Sequence, residues 1–437
     1  MSDGVRRVAV IGSGISGLSV AHALARDALV TLFEAGDYFG GHTHTVNVTL
    51  DGQTHGVDTG FLVFNERTYP KLIQLFAELR VPTALSDMSF SVQVPDIGLE
   101  WSGSDLNTVF AQRRNLVRPA FWQMLRDLTR FNRLATAVAE RGTAAEQQMS
   151  IGAFLAEHRF STEFRDWYFL PMIGCIWSCP TDQMLRFPIA TMIRFCHNHG
   201  LIQVTNRPRW YTVQGGARQY VEKLLLDIPD ARLNTPVRSV RRSQTGGQVS
   251  VATDQGTELF DEVVLACHSD QSLALLADAT STEREVLGAI RYHRNRAVLH
   301  TDTAVLPRRK IAWAAWNYER ARAGSRESAA VCLHYLINRL QPLPFKTPVV
   351  VSLNPLAEPR ADTVHGEYEY AHPVFDAAAI AAQQRVPMIQ GEAHTWFCGA
   401  WTRYGFHEDG LMSGLAVVDG LRARWAQTEP RPLPVAA

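Results

Sequence analysis

The sequence predicts an α/β fold, a Rossmann-like nucleotide-binding domain interrupted by an inserted α+β domain. Three observations predict it. A glycine-rich turn joins an apolar strand to a helix within the first residues. A second strand–glycine–helix unit lies near the end of the chain. The long stretches between them carry the strand and helix patterns of another unit.

Arg7–Ile11 is a short apolar run, the pattern of a buried parallel strand. It enters Gly12-Ser13-Gly14-Ile15-Ser16-Gly17. Leu18 to Arg26 follows with apolar residues at helical spacing, and then strand Leu29–Phe33 ends at Glu34 and Ala35. G-x-G-x-x-G carries meaning in this setting of strand, turn, helix, strand and acid. Gly12 allows the turn, Gly14 lets backbone approach a pyrophosphate, and Gly17 lets the helix pack close to the strand. The helix N-terminus, at Ile15 and Ser16, offers N–H groups to phosphates. Glu34 stands 22 residues after Gly12, placed to accept hydrogen bonds from a ribose. The spacing predicts a bound dinucleotide, with NAD and FAD both open at this point.

Gly40-Gly41-His42-Thr43 follows the acid. This glycine pair resembles the extended FAD fingerprint of glutathione-reductase-like flavoproteins, especially the amine oxidase and phytoene desaturase branch. Those enzymes usually carry Gly-Gly-Arg, from which His42 departs. Near the other end, Thr395–Ala400 reads as a strand ending at Gly399, and Gly405–Gly414 leads into a helix over Leu415–Trp425. The segment resembles the second flavin segment of the same superfamily, and Ala400 stands where an acid is frequent. A helix N-terminus there stabilises the negative charge of a reduced flavin. Thr59-Gly60-Phe61, preceded by Asp58, resembles the backbone that passes along the flavin. Val237 in Thr235–Val240, and Glu262–Ala266, resemble the strands flanking the adenine. The resemblance therefore implies FAD as the cofactor, held by these residues together with His407, Glu408 and Leu411.

Three further segments narrow the resemblance: Gly405-Phe406-His407-Glu408-Asp409-Gly410, Trp210–Gly216 and Asn338–Gln341. They resemble a bacterial group of predicted FAD-binding proteins often encoded near cyclopropane-fatty-acid-synthase-like methyltransferases. Some of that group desaturate methylated fatty acyl chains. The implied activity is an FAD-dependent desaturase of an unsaturated or methylated acyl chain, with flavin N5 accepting hydride from an activated C–H. A methyltransferase is the implied partner. His407, Glu408, Tyr335 and Asn338, with His334, are the candidates for moving the proton. Two other readings stay open: a flavin amine oxidase acting on a small amine or polyamine, and an FAD-binding accessory protein of a lipid methyltransferase. Amine oxidase relatives often hold a water near the flavin with a lysine. This chain has four lysines, at 71, 223, 310 and 346, and Lys310 sits in a turn-like context after Arg308-Arg309. That weighs against the amine.

The flavin segments make the FAD domain discontinuous, over 1–80, 205–290 and 385–427. The substrate domain is expected over 81–204 and 291–384, and 428–437 is expected as a loose tail rich in proline. The first insert reads as helical and aromatic. The second reads as strands at Ala297–Thr301, Ile311–Trp316, Ala330–Leu336 and Pro348–Leu353. Without a second G-x-G-x-x-G, electrons pass to oxygen, a quinone, a carrier or back to the substrate. Between Asn107 and Arg141, seven arginines alternate with aromatic and aliphatic residues. That pattern suits either a peripheral contact with anionic membrane or a solvated helical face. Trp167–Ile173 and Phe195 read as an apolar pocket or as ordinary core. Together they favour a hydrophobic acyl or phospholipid substrate.

The balance of 43 basic and 43 acidic residues excludes a general nucleic-acid binder. The six cysteines show no C-x-x-C and no zinc-type spacing, so neither metal nor disulfide is expected. The opening Met-Ser-Asp-Gly-Val-Arg-Arg reads as lacking a signal peptide, and the longest uncharged run is too broken to span a bilayer. The expected location is the cytoplasm, with contact to the inner membrane face.

Overall fold

The computed structural model describes residues 5–143, 149–202, 207–243, 247–321 and 331–427. The expected tail at 428–437 lies outside them.

Five parallel strands form the first sheet. Their order is β10 (Asp230–Arg232), β2 (Leu29–Phe33), β1 (Arg7–Ile11), β14 (Glu262–Leu265) and β20 (Thr395–Phe397). The central strands are apolar throughout because both faces are covered. Val8, Ala9, Val10, Val263, Val264 and Leu265 are fully buried. One face carries helix α1 (Ile15–Leu24) and the last helix, α5 (His407–Ala426). The other carries the antiparallel sheet β11 (Val237–Arg242), β12 (Val249–Thr253) and β13 (Gly256–Phe260), with the helices at Ser281–Gly288 and Ala377–Arg385.

Helices α1 and α5 touch backbone to backbone. A Cβ on Gly414 would lie 2.6 Å from the carbonyl of Ser16, and one on Gly410 would lie 2.8 Å from Ile15 Cγ2. The helices run in the same direction, so their N-termini emerge together at the end of β1.

The second sheet has seven strands: β19 (Val364–Val374), β15 (Arg291–His300), β18 (Val350–Leu353), β17 (Cys332–Leu336), β16 (Trp316–Glu319), β7 (Phe90–Val94) and β8 (Leu99–Ser102). Every pairing is antiparallel except β16 with β7. The helices α3 (Pro119–Arg141) and α4 (Ile189–Asn198) pack with it around Trp101, Phe121, Phe131, Phe154, Phe164 and Phe169. Smaller pieces join the two units. These are the hairpin of β3 (Thr45–Leu50) and β4 (Gln53–Asp58), and the sheet of β5 (Phe64–Asn65), β9 (Trp210–Val213) and β6 (Thr83–Ser86).

Two expectations change, and one alternative is decided. The insert read as helical begins with strands β6, β7 and β8, and two of these complete the sheet built by the second insert. Ile311–Ala315 is not a strand, and only Trp316 of the expected run joins one, as the first residue of β16. A 3-10 turn at Lys310–Ala312 takes the expected strand's place, anchored where the Glu100 carboxylate accepts from the N–H groups of Arg308 and Arg309. Trp167, Tyr168, Phe169, Leu170 and Ile173 are buried core.

All six cysteines are free. Among the described residues, no helix is long and apolar enough to cross a membrane. Gly414→Val should push the two helices apart. Overpacking of this kind costs about 1–3 kcal/mol, to be read as a lower urea midpoint together with lower FAD content on purification.

Candidate cofactor and active site

The glycine turn is shaped by contacts that exclude a side chain. Gly12 has φ +103°, and a Cβ there would lie 3.0 Å from the carbonyl of Ala266. A Cβ on Gly17 would strike the carbonyl of Gly12. Gly14 is different: a Cβ there meets no protein atom within 4 Å. Gly14 is also the N-cap of α1, and no side chain caps that helix. An uncapped helix N-terminus beside the open space at Gly14 makes an anion cradle.

Glu34 braces this turn. Its Oε2 accepts from the N–H and hydroxyl of Ser13, at 2.9 and 2.5 Å, and its Oε1 accepts from Gly36 N–H at 2.8 Å. Lone pairs remain on the carboxylate for a ribose. Ala35 is exposed beyond it. Val237 is buried at the start of β11, two residues after Thr235, whose N–H donates to the Glu34 carbonyl at 2.9 Å.

The Gly40–Thr43 loop lies against the cradle. Gly40 N–H donates to the Ser13 carbonyl at 3.1 Å, and a Cβ on Gly41 would sit 3.2 Å from Gly14 Cα. His42 turns its ring toward Tyr370, His372 and His268, with centroids 5.2, 5.2 and 6.2 Å away. Its Nε2 is buried without a partner. Burial, aided by the neighbouring His268, pushes His42 down to about 4. It is thus a neutral ring with an unused nitrogen, unlike the arginine of the resemblance. Phe61 N–H donates to the His42 carbonyl at 2.7 Å, and Gly60 packs on that same carbonyl. Thr59 Oγ1 lies 2.6 Å from Tyr370 OH.

At the far segment, Gly399 N–H donates to Ser413 Oγ at 2.9 Å, and Ala400 opens a short 3-10 turn. Helix α5 starts at His407. Its Nε2 lies 2.6 Å from Tyr220 OH and 3.2 Å from Thr43 Oγ1, and its ring stacks on Phe61 at 3.8 Å. Burial pushes His407 down to about 3. Leu411 is core beneath the helix. The two helix N-termini, the two glycine loops and the Thr59–Phe61 backbone thus lie against one another.

Residues 15–305 match the flavin containing amine oxidoreductases. The chain belongs to this family. Its dinucleotide cradle makes the flavin FAD, and the open space at Gly14 and the unpartnered His42 nitrogen fit that cofactor. No curated protein sequence matches the chain. Solved structures with the same fold include a chain from Exiguobacterium sp. 255-15 assigned as a protoporphyrinogen oxidase, with TM-score 0.68, 17% identity, and coverage of 97% of this chain and 100% of the other. A fatty acid isomerase from P. acnes that produces CLA follows, at 0.67 and 14%, covering 95% and 98%. Cyclohexylamine oxidase from Brevibacterium oxydans IH-35A aligns at 0.65 and 17%, covering 96% and 100%.

Within this family member, the catalytic candidates separate. Glu408 is committed elsewhere. Its two oxygens accept from the N–H groups of Lys71 and Leu72, at 2.8 and 2.9 Å, and so cap helix α2 (Pro70–Glu78). Asn338 closes a loop. Its Oδ1 accepts from Val349 N–H at 2.6 Å, and its Nδ2 donates to the Thr347 carbonyl at 3.1 Å. His334 and Tyr335 are successive residues on β17 and point to opposite faces. Tyr335 meets Trp316 edge to face at 4.9 Å, and burial pushes its phenol above the ordinary range. His334 faces Ser352 instead.

A residue not among the expected site residues joins the two units. Asp58 is fully buried and accepts from Thr45 Oγ1 at 2.5 Å, Ala217 N–H at 2.9 Å and Gln341 Nε2 at 2.7 Å. Burial pushes it up to about 7 against the pull of Thr45 and Ala217. The segments around Asp58, after Trp210 and at Asn338–Gln341 stood out separately in sequence, and this carboxyl is where they meet.

Beyond His407 lies a run of rings. Phe406 stacks on Phe195 at 4.7 Å, His199 stacks on the same ring at 3.9 Å, and Tyr404 approaches it at 5.9 Å. Trp210 continues the row beside His199. No lysine enters it. Lys71, Lys310 and Lys346 are exposed, and Lys223 Nζ donates to the carbonyls of Leu79 and Arg80.

Gly14→Val places its side chain in the cradle without meeting protein. The variant should keep a near wild-type urea midpoint and purify without the flavin absorbance. A pH series tests the buried imidazoles. His42, His268, His372 and His407 are all pushed down to about 3–4 by burial. The native state therefore binds fewer protons than the unfolded chain, whose histidines titrate near 6.5, and these rings add stability above that pH. The contribution is lost as pH falls toward 4, while Asp58 and Asp409, pushed up to about 7 and 6, act in the opposite sense. His42→Gln should lower the slope of unfolding free energy in that window by up to about 1.4 kcal/mol per pH unit, measured by urea titrations between pH 6.5 and 4.5.

Proposed function

We propose that this family member is a dehydrogenase of an unsaturated or methylated fatty acyl chain taken from phospholipid at the cytoplasmic face of a membrane. The observation that carries the reading is the aromatic row leading to His407, into which no free carboxylate and no lysine projects among the described residues. An acyl chain suits such walls, whereas a polyamine brings several ammonium groups that want carboxylates. The fatty acid isomerase among the similar structures supports the same substrate class.

FAD, when bound, supplies a two-electron acceptor for hydride. The chain's own residues bind and orient. His407 stays neutral and is anchored by Tyr220 and Thr43, which fixes the first turn of α5 and its N–H groups at the flavin segment. Tyr335 keeps its proton, held up by burial, and packs its ring on Trp316. Strong bases are absent from this lining among the described residues. Such a site demands a C–H already activated, which an allylic position provides.

Delivery of the lipid fits the surface near α3. Leu106 and Val117 are 79% and 84% exposed, Leu116 and Trp122 are exposed beside them, and Arg113 and Arg114 stand in the same stretch. Not all seven arginines serve this face: Arg118 lies over Trp167 at 4.8 Å and Arg130 over Phe160 at 4.2 Å. Each free cation near an anionic surface contributes about 1 kcal/mol, fading with salt.

Anaerobic mixing decides the matter. Anionic vesicles of unsaturated phospholipid should bleach the oxidised flavin band, and putrescine or cyclohexylamine should not. Arg113→Gln with Arg114→Gln should weaken vesicle sedimentation at low salt and leave FAD content unchanged. Bleaching by amines alone would return the amine oxidase reading. A flavin that neither class bleaches, in a protein that accelerates a lipid methyltransferase, would make it an accessory partner.

A further inference from the structure

The sheet of the second unit carries a cluster that the flavin chemistry does not use. Glu319 on β16 pairs directly with Cys332 on β17, and His334 lies two residues further along, on the same face as Cys332. His334 Nε2 is 3.2 Å from Glu319 Oε2 and 3.3 Å from Cys332 Sγ. One sulfur, one nitrogen and one oxygen donor all lie within 4.8 Å of one another. We infer that Glu319, Cys332 and His334 form a site for a single zinc-type divalent cation, on the face of β17 opposite Tyr335.

The geometry is close to what such an ion needs. Around tetrahedral zinc, with bonds of about 2.3 Å to sulfur and about 2.0 Å to nitrogen or oxygen, donor atoms stand roughly 3.3–3.6 Å apart. The two distances to His334 Nε2 are within a few tenths of an ångström of that separation. The donor set also selects. A thiolate with an imidazole favours zinc-like ions over magnesium or calcium, which take oxygen ligands.

The surroundings orient the imidazole. His334 Nδ1 lies 2.6 Å from Ser352 Oγ, and His300 Nε2 lies 2.7 Å from the same oxygen. His300 Nδ1 accepts from Asp302 N–H at 3.1 Å, which leaves its proton on Nε2, pointing at Ser352. Ser352 Oγ has lone pairs for both rings. This arrangement engages Nδ1 of His334 and turns Nε2 to the cluster, the kind of outer partner that metal-bound histidines carry. Cys332 and His334 are buried, while the Glu319 side chain is 20% exposed. The exposed side gives the ion an entry and leaves a position for water.

The sequence hid this cluster, because Glu319 and Cys332 are brought together only by the antiparallel register. The experiment uses the full-length FAD-loaded protein. It is stripped with EDTA, dialysed against micromolar zinc, desalted and assayed for metal and flavin. The expected result is one zinc per FAD, with one sulfur ligand by X-ray absorption. Cys332→Ser and His334→Gln should bind at least about tenfold more weakly with unchanged FAD content. Glu319→Gln, a partly exposed and isosteric change, should do the same even if the buried variants fold poorly. A wild type that retains no zinc, a spectrum without sulfur, or a Glu319→Gln protein that binds like the wild type would overturn the assignment.

Discussion

The cofactor site depends on two helices being allowed to touch. Gly410 and Gly414 of α5 lie against Ile15, Ser16 and Ser19 of α1, so closely that a methyl group would collide with backbone or side chain. Because the helices run the same way, this contact sets two N-termini side by side at the end of β1. Two positive dipole ends held together repel each other unless negative charge lies between them. A pyrophosphate and a reduced flavin bring that charge to the two ends, so the packing of the helices and the choice of cofactor are one constraint.

Neutrality governs the rest of the lining. His42, His268, His372 and His407 are kept uncharged by burial, so these rings add no cation charge beside the helix N-termini. Carboxylates near the site are spent on architecture. Glu34 braces the glycine turn, Glu408 caps α2, and Asp409 accepts from Phe406 N–H at the start of α5. Asp58 gathers donors from three segments, including Gln341 of the second unit, and so fixes how the two units meet.

What could be read from the sequence was what is local. The turn at residues 12–17 and the strand at 29–33 announce themselves because their glycine spacing and apolar runs are contained in one short stretch of sequence. Glu408 was read as a catalytic candidate because its partners, the N–H groups of Lys71 and Leu72, lie more than 300 residues earlier in the chain. Asn338 misled for a similar reason, since its loop partners are invisible to periodicity. Ile311–Trp316 has the apolar content of a strand, but the Glu100 carboxylate holds the preceding backbone in a turn. The helical reading of residues 81–204 failed at its start, where β7 and β8 form a hairpin that joins the large sheet only through the distant β16.

The order of these segments has a consequence for synthesis. Strand β1 leaves the ribosome first, yet its neighbour β14, the edge strand β20 and helix α5 come from the middle and far end of the chain. Strand β7 likewise waits more than 200 residues for β16. Contacts this distant in sequence make folding slow and leave apolar strand edges uncovered meanwhile. Until Gly414 has been translated, the first helix lacks the partner it packs on most closely, and a nascent chain stalled short of it would show that uncovered face to the chaperones of the cell.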